Sequence, residues 1–195
     1  MKHIHVFKLN GHPGVTNRTN FKTIGKTKVI ELSRISQEHK LSLHDLLEVT
    51  FHPDKNIAFR APRILENLFT IIPLKYVPNI AYLLSRIKEV KHANCQRHYV
   101  KIIMHITNAN VPQFITDALS AIDLEPVIEQ CFDWMIDPKV KVAVKVFSGD
   151  VLFNLRHRYP WVKKELANQL KFLMQNGTAA MQSKRRRLLV NLVYL

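Results

Sequence analysis

The stretch Ile57-Ala58-Phe59-Arg60-Ala61-Pro62-Arg63-Ile64-Leu65-Glu66-Asn67-Leu68 decides the fold, because its apolar pattern returns three more times. Ile57, Ala61, Ile64, Leu65 and Leu68 fall at i, i+4, i+7, i+8 and i+11, one stripe of an α-helix. The same template fits Cys95, Tyr99, Ile102, Ile103 and Ile106; then Val144, Ser148, Val151, Leu152 and Leu155; then Met181, Arg185, Leu188, Leu189 and Leu192. Only Ser148 and Arg185 break it. The copies start at 57, 95, 144 and 181, so the gaps are 38, 49 and 37 residues. The surplus in the middle gap falls on VPQFITDALSA at 111–121, which reads as an inserted short helix.

Each copy is preceded by a second helical pattern. Ser42 followed by Asp45 marks a helix start whose buried side is Leu43, Leu46, Leu47 and Val49. Pro73 and Pro78 precede a helix burying Ile80, Leu83, Leu84 and Ile87. Pro126 opens one burying Ile128, Cys131, Phe132 and Met135. Pro160 opens the last, with Trp161, Val162, Leu166, Leu170 and Leu173, ended by Asn176-Gly177 before Thr178 starts the final helix. Pro62 inside its helix should bend it, and Gly149 occupies the same position in the third copy. Upstream, residues 1–27 carry scattered Lys and His without a helical stripe and are expected to form a flexible basic tail, with the repeat domain at 28–195 and a short helix from Val29 to about Gln37.

Composition sets the outer bounds. The 195 residues are 47% hydrophobic, enough for a real core, and five Gly and nine Pro are too few for a loop-rich chain. Sustained two-residue alternation is absent, which argues against sheets. Cys95 and Cys131 sit inside apolar helical patterns, as reduced core cysteines do. Neither a membrane-spanning apolar run nor a secretory signal pattern is found, so the expectation is a soluble, cytoplasmic monomer with no membrane partner. The formal charge of +14 is unevenly placed. Residues 1–28 hold six Lys or Arg and no acid, residues 160–195 hold seven against one acid, and the middle holds 16 against 14. The repeat body is thus a mixed surface, and the excess lies at its two ends.

Helical hairpins with a period near 40 residues are the mark of an α-solenoid. Within them, DPKVKVAV at 137–144 and HPDKNIAFRAP at 52–62 resemble the inter-helix turn and second helix of HEAT repeats, where an Asp-Pro-like turn precedes a Val- and Arg-rich helix. The likeness covers roughly 42–195. It implies an all-α fold of the armadillo-type superhelix class, a short HEAT-like solenoid of about four hairpins whose second helices line a concave groove.

Counted from each template start, positions +3, +6 and +10 lie on one flank of the stripe. They are Arg60, Arg63 and Asn67; His98, Lys101 and His105, with Arg97 beside them; Phe147, Asp150 and Asn154; Lys184, Arg187 and Asn191. With the groove that the resemblance implies, this ladder of cations and amides is the candidate binding surface. The plainer reading is the polar flank that any half-buried helix has. Phe147 and Asp150 interrupt a continuous anion track, which counts against nucleic acid. In the run Lys184 to Arg187, Arg185 must snorkel from an apolar position while Lys184, Arg186 and Arg187 face outward as a solvated cap, with phosphate contact as the sharper alternative.

Other constellations carry less. His92, Cys95, His98 and His105 do not converge from one helix, so no metal site is expected. Trp134 and Trp161, near Asp133 and Asp137, raise the HEAT-like DNA glycosylases that remove alkylated purines, but no motif of theirs can be matched and both tryptophans read as core. No nucleophile elbow, phosphate-binding Gly loop, dinucleotide turn or HExxH is present, nor the serine-rich signature loop of the fumarase and adenylosuccinate lyase superfamily. The expectation is a non-enzymatic scaffold, without cofactor, that binds another macromolecule, foremost a protein, through its groove. A nucleic-acid-binding module using the basic ends and the Arg60, Arg63, Arg97, Lys101 side is the alternative, with a base-excision enzyme behind it.

Overall fold

Four of the turns between helices share one device: a side-chain acceptor that captures the backbone N–H two residues ahead. The His52 Nδ1 accepts from Asp54 N at 3.0 Å, Asn108 Oδ1 from Asn110 N at 2.9 Å, Asp123 Oδ1 from Glu125 N at 3.0 Å and Asp137 Oδ1 from Lys139 N at 2.8 Å. This is the physical content of the HPDK and DPKV turns. The computed structural model describes residues 43–54, 58, 61–71, 73–174 and 179–194. The expected tail at 1–27, the helix at 29–37, Ile57, Arg60 and the turn at 175–178 lie outside these residues.

Among the described residues the regular structure is helical, with no strand. The helices are α1 (Leu43–Val49), α2 (Ala61–Ile71), α3 (Pro73–Tyr76), α4 (Ile80–Ser85), α5 (Ala93–Ile106), α6 (Gln113–Ser120), α7 (Glu125–Ile136), α8 (Val142–Leu155), α9 (Pro160–Met174) and α10 (Ala179–Tyr194). The second helices stack in order, α2 on α5, α5 on α8 and α8 on α10. First helices close hairpins onto them, α1 on α2, α7 on α8 and α9 on α10. The architecture is an all-α solenoid.

The template stripe is the core. Leu65, Tyr99, Ile103, Val144 and Leu152 are fully buried, and both residues that break the pattern, Ser148 and Arg185, are buried as well. Helical register therefore places a side chain inward even where its chemistry is polar. Tyr99 is accommodated because Thr50 gives its own proton to Leu47 O at 2.6 Å and so accepts from the Tyr99 hydroxyl at 2.8 Å. Gly149 serves close packing: a Cβ there would lie 3.3 Å from Leu188 Cδ1 on α10.

One local expectation changes. Ile80, Leu83, Leu84 and Ile87 are all buried, but the helix ends at Ser85 and Ile87 belongs to a separate 3-10 turn, Ile87–Glu89. The break falls at Arg86, whose guanidinium bonds Glu48 at 2.8 Å and Glu89 at 2.5 Å and lies 4.4 Å from the Phe51 ring centre. The inserted helix α6 is present and packs against α3, α4 and the 3-10 turn Val77–Asn79. Arg158 holds its end, donating to Leu119 O at 2.7 Å and Ile122 O at 2.6 Å, while Leu124 N donates to the Tyr159 hydroxyl at 3.0 Å.

Candidate functional site

The polar flank of the second helices is built from ties between neighbouring repeats. Glu66 on α2 accepts from His98 Nδ1 at 2.5 Å and from the Lys101 ammonium, both on α5. Burial pushes the Glu66 carboxyl up, but the hydrogen bonds and positive charges of His98 and Lys101 outweigh it and hold the group down to about 2. One turn along α5, burial and the Lys101 charge lower His105, against the pull of Glu66.

The next two repeats repeat the arrangement with different chemistry. The Asn154 amide on α8 donates to Met104 O and Thr107 Oγ1, each at 3.2 Å. Asp150 on α8 holds Lys184 on α10 at 2.7 Å, with both side chains about four-fifths buried. Lys184 therefore does not face outward as the sequence suggests; Asp150 lies opposite it and draws it into the seam.

Of the remaining ladder residues, Arg63, Arg97 and Arg187 are exposed, Asn67 and Asn191 are half-buried, and Arg60 lies outside the described residues. The structure thus brings His98, Lys101, Asn154 and Lys184 into inter-helix bonds and leaves Arg97 and Arg187 at the surface. Sequence reasoning missed Glu66 and Thr107, which supply the partners. Glu66 sits at template position +9, next to the ladder position of Asn67, but spacing along one helix does not say which residue of the next helix lies opposite.

Beside this flank is a cleft of about 270 Å³ where the ends of α2 and α5 meet the insert, lined by Phe69, Thr70, Pro73, His105, Asn108 and Ile115 among others. Its floor is apolar and its rim polar, a composition suited to one apolar side chain of a partner. Only the fold assembles it, since its walls come from two separate segments, 69–73 and 105–115.

The tryptophans part company. Trp134 is buried in the core, whereas Trp161, at the start of α9, is 46% exposed and stacks on Phe132 at 6.0 Å between ring centres. The expectation that both are core is corrected for Trp161: five residues before the fully buried Leu166, it lies about 140° round α9 from it and so off the buried stripe of Val162, Leu166 and Leu170. Burial pushes the Cys95 thiol up to about 11 and the Cys131 thiol up to about 12, so both remain protonated at neutral pH. Among the described residues no three His, Cys, Asp or Glu side chains gather as a metal site would need, and no helix is long and apolar enough to cross a membrane.

Against protein families, a model described as HEAT repeat domain matches residues 18–192. No curated protein and no solved structure matches.

Proposed function

The chain belongs to the HEAT repeat family, and from that premise we propose that it is a non-enzymatic scaffold that holds a protein partner along the flank of its second helices. The observation that carries this reading is the neutralisation of the flank. Glu66 satisfies His98 and Lys101, and Asp150 satisfies Lys184, so the cations that would have tracked a phosphate backbone are committed to neighbouring helices. What remains exposed on this side is Arg63, Arg97 and Arg187, each on a different helix, and an apolar cleft at the end of α5. Exposed arginines and apolar pockets are the elements on which protein interfaces concentrate their affinity. Phosphate recognition instead needs many uncompensated cations acting together.

The nucleic-acid reading keeps one specific support, the exposed Lys163, Lys164, Lys171, Arg186 and Arg187 of α9 and α10. A glycosylase-like use of tryptophan finds little support, since Trp134 is within the core. Capture of partners from native extract with and without nuclease separates the two readings. The expected result is a nuclease-resistant partner, lost on Arg97→Glu and Arg187→Glu, together with no retention of generic duplex DNA or RNA at low salt. Tight duplex binding that falls steeply with salt, with capture abolished by nuclease, overturns the protein-scaffold reading.

A further inference from the structure

We propose that the edge of the third and fourth hairpins, where α7 turns into α8 and α9 ends, docks on the surface of an anionic lipid bilayer. The edge lies at helix ends, apart from the flank assigned to a protein partner. Its parts are gathered round one small cavity whose walls include Met135 of α7, Lys145 of α8, Leu170 of α9 and Arg185 of α10. Ile136 follows Met135, Val142 precedes Lys145 by three residues and Phe172 comes two after Leu170. Each of the three is within three residues of its helix end, and each is exposed, at 52%, 42% and 70%. Three large apolar side chains therefore stand out from one edge of the solenoid.

Cations surround them. Lys139 and Lys141, in the turn between Ile136 and Val142, and Lys171, next to Phe172, are all exposed. Behind them Lys145, Lys184 and Arg185 line the cavity, and no acidic side chain is among its walls. Three acids lie near, each already facing a cation. Asp137 accepts from Lys139 N at 2.8 Å, and its charge acts on Lys145. Asp150 holds Lys184 at 2.7 Å, and Asp133, one turn back along α7, acts on Lys88 of the preceding hairpin. Residues 172–183 contain no charged side chain, and residues 137–195 hold twelve Lys or Arg against three acids.

A bilayer interface answers both halves of this composition. Anionic headgroups attract the lysines within a Debye length, while Phe172, Ile136 and Val142 enter the boundary between headgroups and acyl chains. Nucleic acid would satisfy the lysines but hold the three apolar side chains against water and phosphate. The expectation of no membrane partner rests on the lack of a spanning run, and no described helix is long and apolar enough to cross a membrane. A contact at the surface needs no such helix.

Flotation of the full chain with sealed vesicles tests this, since bound protein rises with the lipid. At about 0.15 M salt, where surface fields fade over about 8 Å, the wild type should float with phosphatidylcholine vesicles containing phosphatidylserine. It should stay behind with phosphatidylcholine alone, and rising salt should release it. Lys139→Glu/Lys171→Glu should lower the partition by about 25-fold or more, at about fivefold for each lysine lost. Lys163→Glu/Lys164→Glu, the same charge change about 10 Å away along α9, should lower it by less than about fivefold. Ile136→Ser/Phe172→Ser should weaken flotation by about tenfold with helical circular dichroism unchanged. A wild type that does not float, equal losses from the two lysine pairs, or an apolar pair that floats as the wild type does would each overturn the proposal. Retention on duplex DNA at the same salt, reduced by Lys139→Glu/Lys171→Glu and untouched by Ile136→Ser/Phe172→Ser, would give the edge to nucleic acid instead.

Discussion

Gly149 of α8 and Leu188 of α10 approach so closely that a Cβ on Gly149 would stand 3.3 Å from Leu188 Cδ1. The contacting atom is the end of a flexible side chain, and a small cavity lined by both residues, Met135 and Leu170 lies beside it. Leu188 therefore has room to yield to a methyl group. Gly149→Ala should gain about 0.5 kcal/mol, the helix-propensity benefit less a small packing cost, whereas Gly149→Leu should lose about 1–3 kcal/mol by overpacking. Urea titration of both variants checks the opposite signs.

Glu66 gives a pH dependence with a definite sign. Its carboxyl is held at about 2 in the folded chain against an ordinary 4.5, so its stabilisation is fully present above 4.5 and is lost as the pH falls towards 2. Glu66→Gln should cost about 1–2 kcal/mol at neutral pH, allowing for screening by water. It should also flatten the fall in stability across that acid window. Melting temperatures of wild type and variant from pH 5 to pH 2.5 decide it: parallel curves would show that Glu66 is not the titrating group.

Arg158→Ala should act locally. It removes the donors that hold the carbonyls of Leu119 and Ile122 at the end of α6. Hydrogen exchange within Gln113–Ser120 should accelerate by about tenfold, matching about 1.4 kcal/mol, with α7 and α8 unchanged. Uniform acceleration across the chain would mean that the insert is part of the global folding unit.

Charge in the shared seam should unfold the protein. Leu65 and Ile103 are fully buried. Either Leu65→Asp or Ile103→Asp should remove more than about 4 kcal/mol, while Arg63→Ala on the exposed side should change stability by about 0.5 kcal/mol or less. Circular dichroism at 25 °C reads the difference directly, and a helical, cooperatively melting Leu65→Asp variant would contradict the assigned core.

Most of the architecture was legible because helical register is a property of the chain alone. Ser148 and Arg185, the two misfits of the template, are buried where the register puts them, and the insert was located by counting to 111–121. What could not be read depends on two segments at once. Lys184 reads as solvent-directed because its partner Asp150 lies on another helix, and Glu66 acquires its role only where α5 stacks on α2. Trp161 reads as core by its hydrophobicity, yet it lies off the stripe of Val162, Leu166 and Leu170 that α9 buries. The cleft beside His105 draws on two segments and has no signature in either of them.

The polar ties of Glu66, Asn154 and Asp150 all reach across from one hairpin to the next, and each link differs in chemistry from its neighbour. The copies are for that reason not interchangeable. Excising the third hairpin to shorten the array would strip Lys184 of Asp150 and set it against the side of α5 whose Met104 carbonyl and Thr107 hydroxyl are matched to the Asn154 amide, leaving an ammonium without its carboxylate. Its length is consequently locked by edge-matching, much as tiles with keyed sides admit a single order.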